Sequence, residues 1–549
     1  MSAPDTAAPR PTAPAPDAPD TDAPRRDAFD LFVIGGGING CGIARDAAGR
    51  GLRVGLAEMG DLAGATSSAS TKLFHGGLRY LEYFEFRLVR ESLIERERLL
   101  KAMPHISWPM RFVLPIHPEM RFENATPTSR LLNLVIPWMK GRRPAWLIRL
   151  GLFLYDNLGG REILPGTKSL SLDGTREGAP LKDSLHRAFE YSDAWVQDAR
   201  LTVLNARDAA RWGAEILPRT KVTGARPQGE GWQVDLTDTE TGEARQITAK
   251  VLVNAAGPWV ADMLNGTLGR NSDAGIRLVR GSHIVTRRLY DHDKCYFFQG
   301  SDGRIIFAIP YEQDFTLIGT TDVDHPDADQ APKITEAEID YLCNFASEYF
   351  REPISRAQVV WTYSGVRPLY DDGASSASAA TRDYVLRMEG SGPPLLSVFG
   401  GKITTYRRLA EHAMEHIAPH FPMIRAPWTA GQPLPGGDFP VAEAEHRIAE
   451  LLKAYPFLGP QGAQRLFRHY GTEARLILGQ ARAAADLGRD FGAGLSEAEV
   501  RFLMTREYAR TAEDVVWRRT KLGLRLSAEQ IAALDAWMAE ERNSQTAQT

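Results

Sequence analysis

The run Gly35-Gly36-Gly37-Ile38-Asn39-Gly40 comes directly after the apolar segment Leu31-Phe32-Val33-Ile34. Glycines at this spacing let a chain turn sharply, and the helix that follows aims unpaired N–H groups and a positive dipole end at an anion. The chemistry this suits is binding of a dinucleotide diphosphate. Gly35 permits the turn, Gly37 the close approach of backbone to phosphate, and Gly40 the packing of the helix on the sheet. Glu58 closes the next apolar segment about twenty residues further on, where a carboxylate accepts from ribose hydroxyls. Between 61 and 80 lies a loop of small and hydroxyl residues. Its Thr66, Ser67, Ser68, Ser70, Lys72, His75, Gly76 and Gly77 are candidates to surround a cofactor's phosphates and ring edge. The glycines alone fit FAD and NAD equally.

The elements that must hold these residues can be read from periodicity. A strand, a helix over 41–50 and a second strand over 53–58 form the opening unit. The strand at 250–254 runs into Ala255-Ala256-Gly257, and the strand at 395–399 into Gly400-Gly401-Lys402-Ile403-Thr404. Both repeat the junction of a strand with a small-residue turn, which lets backbone approach a nucleotide. Short alternating segments at 276–323, including 304–310 and 315–319, predict an antiparallel sheet forming a second domain. Residues 85–102 show helical spacing, with Glu97 and Lys101 placed for an i, i+4 pair.

At 549 residues the chain exceeds what one core supports, so several domains are expected. Its 65 basic and 69 acidic residues leave a net charge of −4, which gives no chain-wide attraction for nucleic acid. Three cysteines without a CxxC pair argue against a disulfide framework or structural zinc, and no metal site is expected. Residues 1–27 are rich in Pro, Ala and Asp and read as a disordered tail. No apolar run approaches the roughly 18 residues of a membrane-spanning helix. Residues 124–155 contain no acid and mix Arg130, Lys140, Arg142, Arg143 and Arg149 with aliphatic and tryptophan residues, a composition suited to an anionic, partly apolar interface. Residues 441–549 read as helical, and their Trp517-Arg518-Arg519-Thr520-Lys521 cluster reads as a solvated face.

These features meet in a resemblance. The stretches IGGGINGCGIARDAAGRGL, TSSASTKLFHGGLRYLEYFEFRLV, RPAWLIRLGLFLYD, YSDAWVQDARL, VNAAGPWV, GSHIV, IGTTDV, WTYSGVRPL, TRDY and SVFGGKITTYRRLAEHA resemble the FAD-dependent, aerobic respiratory glycerol-3-phosphate dehydrogenases over about residues 30–415. The resemblance implies FAD rather than NAD, and an α/β fold in which a Rossmann-like FAD-binding domain carries an antiparallel substrate cap of the D-amino-acid-oxidase kind. A C-terminal all-α domain follows. The expected division is 28–115, 187–270 and 380–420 for the FAD domain, 116–186 and 271–379 for the cap, and 421–549 for the helical domain. Glycerol 3-phosphate as substrate, membrane quinone as acceptor and a homodimer on the cytoplasmic face of a bacterial inner membrane are likewise implied. Residues 119–141 depart from the family pattern as an insertion.

The reaction needs charge for a phosphate dianion and a base for an alcohol proton. Matching positions assign Arg79, Tyr80, Arg367, Arg382 and Lys402 to the substrate, with Lys402 also able to neutralise a reduced flavin. His283 is the expected base, with Arg367 sharing the proton-transfer role, and His75 is expected along the flavin. Three other readings stand beside this one. They are an oxidase that uses oxygen, an amine or amino-acid oxidase of the same fold, and a helical domain that serves mainly to dock a partner or a membrane.

Overall fold

The computed structural model describes residues 27–118, 120–122, 126–135, 142–270, 275–300, 303–371, 383–389 and 392–546. The N-terminal tail, Arg382 and much of the 119–141 insertion therefore lie outside the described residues.

Leu31, Phe32, Val33 and Ile34 are all buried, as a strand covered on both faces requires. Ala28–Ile34 sits in the middle of a parallel layer. Ala244–Asn254 and Val54–Glu58 flank it, then Leu395–Phe399 and Glu215–Pro218 lie outside those. Val385–Met388 closes one edge antiparallel to its neighbour. On one face the helices Ile38–Gly49, Asp198–Arg211 and Tyr406–Ile417 bury Cys41, Ala44, Val203 and Leu409 against the sheet. On the other face the meander Thr220–Gln228 and Gly231–Asp238 packs Trp232 and Val234 onto Phe29 and Phe32.

The second layer is a ten-stranded, mainly antiparallel sheet built on Ile276–Arg287. Phe315–Gly319 and Val359–Tyr370 pair with that strand on opposite sides, setting His283 across from both Gly319 and Tyr363. The sheet reaches further back in the chain than expected. Ser107–Ile116 and Arg187–Val196, assigned from sequence to the nucleotide layer, pair with each other and join the second sheet through Cys295–Gln299. The helices Phe86–Ala102 and Ala145–Leu158 cover one face of it, and Glu336–Tyr349 covers the other. Within the first of these helices the expected Glu97–Lys101 pair does not form. Glu97 is buried and accepts from the Ile163 N–H, while Lys101 reaches Glu162.

Beyond Phe399 the described residues contain no strand, as the sequence predicts. The helices that follow close their own core around Leu451, Phe467, Leu503 and Leu534. Their basic cluster corrects the expectation of a solvated face. Arg519 is buried and forks onto Asp61 of the nucleotide layer at 2.7 and 2.8 Å, because an acid from the far end of the chain waits there.

Candidate active site

The glycine turn behaves as its residue types demand. Gly35 has φ +110°, and a Cβ there would stand 2.5 Å from the Ala255 carbonyl oxygen. A Cβ on Gly40 would stand 1.9 Å from the Gly35 oxygen, so the helix start and the turn touch directly. No side chain of Gly37 caps the helix, and Ser67 Oγ instead accepts from the Ile38 N–H at 2.9 Å. Glu58 accepts from the Gly36 and Gly60 N–H groups at 2.7 and 2.8 Å, while burial raises its carboxyl above the usual range. Asn39 ties this turn to the later one, its Nδ2 donating to the Gly400 oxygen at 3.0 Å. Ala256 lies beside Gly35, whose Cβ would be 3.2 Å from Ala256 Cα, and Gly257 follows it at φ +57°. Three strand ends thus converge on one backbone cradle.

From Ile38 a cavity of about 350 Å³ runs between the two layers. Thr66, Ser67, Ser70, His75, Gly77, Gly401 and Thr404 line it, as do Arg79, Tyr80, His283, Arg367 and Lys402. The short turn Leu78–Tyr83 presents Arg79 and Tyr80, entered through Gly77 at φ +72°. Lys402 stands at the start of the turn into helix Tyr406–Ile417. Its Nζ is buried 4.0 Å over the Tyr80 ring and has no hydrogen-bond acceptor among the described residues. A buried ammonium without an acceptor is costly, and an anion entering the cavity relieves that cost. Arg367 pairs with Asp322 and donates to Thr320 Oγ1 at 3.2 Å.

His283 is buried and stacks on Tyr363 with ring centres 4.7 Å apart. Its Nε2 lies 3.0 Å from Thr71 Oγ1. Burial first, then Lys72 and Arg367, hold its pKa well below the ordinary histidine value, so the ring is neutral at physiological pH. Gly319 makes room for it, since a Cβ there would meet the ring at 2.1 Å.

Some expected residues serve the scaffold instead. Lys72 turns away from the cavity and bonds both Asp198 oxygens at 2.9 Å, because Asp198 supplies a buried partner that the loop sequence does not reveal. Ser70 lines the cavity, yet its Oγ donates to the same carboxylate. Ser68 Oγ donates to the Ala65 oxygen and is absent from the cavity wall. Gly76 packs under Leu93 and Tyr155, where a Cβ would find 2.4 and 2.8 Å. Conversely, Thr71, Arg304, Thr320 and Asp322 line the cavity and were not singled out from sequence. Thr71, Thr320 and Asp322 stand inside recognised stretches, whose hydroxyls and acids carry no mark of their role.

An apolar groove of about 170 Å³ adjoins the cavity, and Leu78, Arg79, Phe297 and Ile305 wall both. Its outer side is formed by Phe84, Phe86, Phe122 and Leu150, the second-last from the described part of the insertion. On the two helices that contribute Thr128 and Leu150 to its wall, Leu134 is 79% and Phe153 55% exposed, and Trp146 is similarly open. Arg143 is buried at the groove's edge, paired with Glu82 and donating to Gln299 Oε1 at 2.7 Å. No helix among the described residues is long and apolar enough to cross a membrane, and no metal-binding group of side chains occurs among them.

A family profile described as FAD dependent oxidoreductase matches residues 30–407, and one described as the C-terminal domain of alpha-glycerophosphate oxidase matches residues 428–548. The chain is 50% identical over 509 residues to D-erythritol 1-phosphate dehydrogenase of Brucella abortus (strain 2308), covering 92% of this chain and 97% of that protein. It is 48% identical over 513 residues to aerobic glycerol-3-phosphate dehydrogenase of Escherichia coli (strain K12), with coverage of 93% and 97%. Among solved structures, a glycerol-3-phosphate dehydrogenase from Bacillus halodurans complexed with FAD superposes with a TM-score of 0.71 at 27% identity, covering 94% of this chain and 90% of that one.

Proposed function

We infer that this chain, which belongs to the FAD-dependent glycerol-3-phosphate dehydrogenase family, oxidises sn-glycerol 3-phosphate to dihydroxyacetone phosphate. The observation that carries the reading is the buried Lys402 ammonium, held without an acceptor among the described residues in a cavity that also holds Arg79, Arg304 and Arg367. Bound FAD supplies the hydride acceptor. The glycine cradle and Glu58 suit its diphosphate and ribose, and the cavity beyond Ile38 suits its ring. Arg367 and Arg79 bind the phosphate, and Lys402 lies where it balances negative charge on phosphate or reduced ring. His283, neutral and fixed by Thr71 and Tyr363, is the base assigned to the alcohol proton.

A second substrate is favoured by one observation, the 50% identity to a D-erythritol 1-phosphate dehydrogenase. Both molecules carry a secondary alcohol next to the phosphate-bearing carbon, so the same cations and base serve either. Dye-reduction kinetics on the purified enzyme decide between them. The expected result is a kcat/KM for glycerol 3-phosphate at least about tenfold above that for D-erythritol 1-phosphate, a difference of about 1.4 kcal/mol in transition-state binding. The reverse ratio assigns the chain to the longer polyol phosphate.

For the acceptor, we read the groove beside the cavity as the approach of a membrane quinone, with the enzyme lying on the membrane surface without spanning it. The groove's apolar wall, its contact with the cavity and the exposed Leu134, Trp146 and Phe153 support this. Deleting residues 119–141 is expected to lower binding to anionic liposomes and to slow quinone reduction more than dye reduction. Equal quinone reduction by the deleted enzyme would remove the insertion from this role, and peroxide formed in step with substrate oxidation would identify an oxidase.

A further inference from the structure

We propose that the C-terminal helical domain completes the FAD site, with Arg519, assisted by Arg518, acting as a positioning residue for the adenosine end of the cofactor through Asp61. Asp61 follows Glu58, the expected ribose acceptor, within one tight loop. That loop is built against the glycine turn: the Ala63 N–H donates to the Gly36 oxygen at 3.1 Å, and buried Leu62 presses on Gly36, where a Cβ would find it at 2.9 Å. Where the loop sits therefore decides where Glu58 and the turn sit.

From its own layer the loop takes the Ala63–Gly36 bond, the buried Leu62, the Arg219 N–H donating to the Gly60 oxygen at 2.8 Å and Thr239 Oγ1 donating to the Met59 oxygen at 3.3 Å, whereas the side-chain partners of the Asp61 carboxylate among the described residues come from the helical domain. Arg519 Nη1 and Nη2 fork onto the Asp61 carboxylate, and Arg518 Nε reaches Oδ2 at 2.5 Å. Both arginines are themselves fixed. Arg519 donates through Nε and Nη2 to the Glu507 carbonyl oxygen at 3.1 and 2.7 Å, and Arg518 Nη2 to Asp514 Oδ1 at 2.5 Å. Asp514 in turn accepts from Arg219 at 2.6 Å, so the loop is gripped from both ends by one network. A planar fork held at its far side transmits position, where a single flexible ammonium would not.

Charge points the same way. The Asp61 carboxylate acts on Glu58 as a like charge, and the two guanidinium groups balance it. The helical domain then has a part in cofactor retention that neither partner docking nor membrane docking requires.

The test is the dissociation constant of FAD, read by flavin fluorescence on the full-length apoprotein, for Arg519→Gln, Asp61→Asn, their double variant and Arg207→Gln. Arg207 joins the same two domains through Glu473 and Glu507 but does not touch the 58–63 loop. Arg519→Gln and Asp61→Asn are each expected to bind FAD about tenfold more weakly or worse, and the double variant no worse than the weaker single one. Arg207→Gln is expected to keep its FAD affinity within about twofold even though it unfolds more easily. FAD binding by Arg519→Gln as tight as the parent's overturns the proposal. So does an equal loss in Arg207→Gln, which would trace the effect to domain docking in general. Should Arg519→Gln fail to fold, Arg518→Gln keeps the fork and is expected to lose about threefold; unchanged affinity there overturns the proposal equally.

Discussion

Two clusters of cationic side chains are wired in opposite ways. Between the nucleotide layer and the helical domain, Arg200, Arg207 and Arg519 are buried and matched to carboxylates: Glu507 for the first two and Asp61 for the third. In the cavity Lys402 has its ammonium buried on an aromatic face with no acceptor among the described residues, and Arg367 shares one half-exposed acid. The first cluster is matched by carboxylates as it stands and joins the two domains, Arg200 and Arg207 by cohesion and Arg519 by placing Asp61. The second leaves the Lys402 ammonium unmatched among the described residues, so its role is to receive a negative charge. Basic residues alone do not mark a site; the surroundings do.

That contrast makes measurable claims. The largest effect is expected where the charge is matched: Arg207→Gln should lower unfolding free energy by about 3–5 kcal/mol, because Glu473 and Glu507 lose a buried partner. Denaturant unfolding measures it, and a loss below about 1 kcal/mol would mean that the cluster does not bind the domains together. Lys402→Met should do the reverse. It is expected to cut kcat/KM for glycerol 3-phosphate about 100-fold, about 3 kcal/mol, while leaving unfolding free energy unchanged or higher. A variant that loses stability and keeps activity would erase the distinction between the two clusters.

Acid should weaken the molecule through its buried histidines. His105 and His283 are held neutral by burial, and His469 is pushed down to about 3. A histidine whose folded pKa is lowered contributes its stability above about pH 6.5 and loses it as pH falls, at about 1.4 kcal/mol per pH unit for each group. Asp193, pushed up to about 6 by burial, works in the opposite sense below that value. Unfolding midpoints measured from pH 7 down to 5 should therefore fall, and less steeply in His283→Gln. The smallest effect is expected at Thr71→Val, which removes the hydroxyl beside His283 Nε2. A loss of about 1 kcal/mol, appearing in kcat rather than KM, would show that ring placement is what the hydroxyl supplies.

How much of this was legible beforehand depended on whether a residue's demand is local. Gly35 and Gly40 announce themselves because no other residue type tolerates the φ and the contact found there. Helix Phe86–Ala102 and strand Phe315–Gly319 follow from periodicity for the same reason. Sheet membership does not: Ser107–Ile116 is a largely apolar run that would suit either layer, and its partner Arg187–Val196 is remote in sequence. Lys72 and Lys402 show the limit most clearly. Both are lysines among small residues, yet one meets Asp198 and the other meets no acceptor among the described residues, and only the folded chain distinguishes them. Arg519 reads as a surface residue until Asp61 is brought to it.

The strand order of the parallel layer also bears on how the protein is made. Ala28–Ile34 lies beside Ala244–Asn254, and that strand lies beside Leu395–Phe399. A ribosome delivers the glycine turn and its neighbour Val54–Glu58 first, but the partner on the other edge, Ala244–Asn254, follows only after Ser107–Ile116 and Arg187–Val196 of the second sheet, and Leu395–Phe399 later still. Until then the first strand exposes an unpaired apolar edge, the kind of surface that chaperones cover. The nucleotide layer is begun earliest and finished late, so loading of the flavin belongs to the end of biosynthesis.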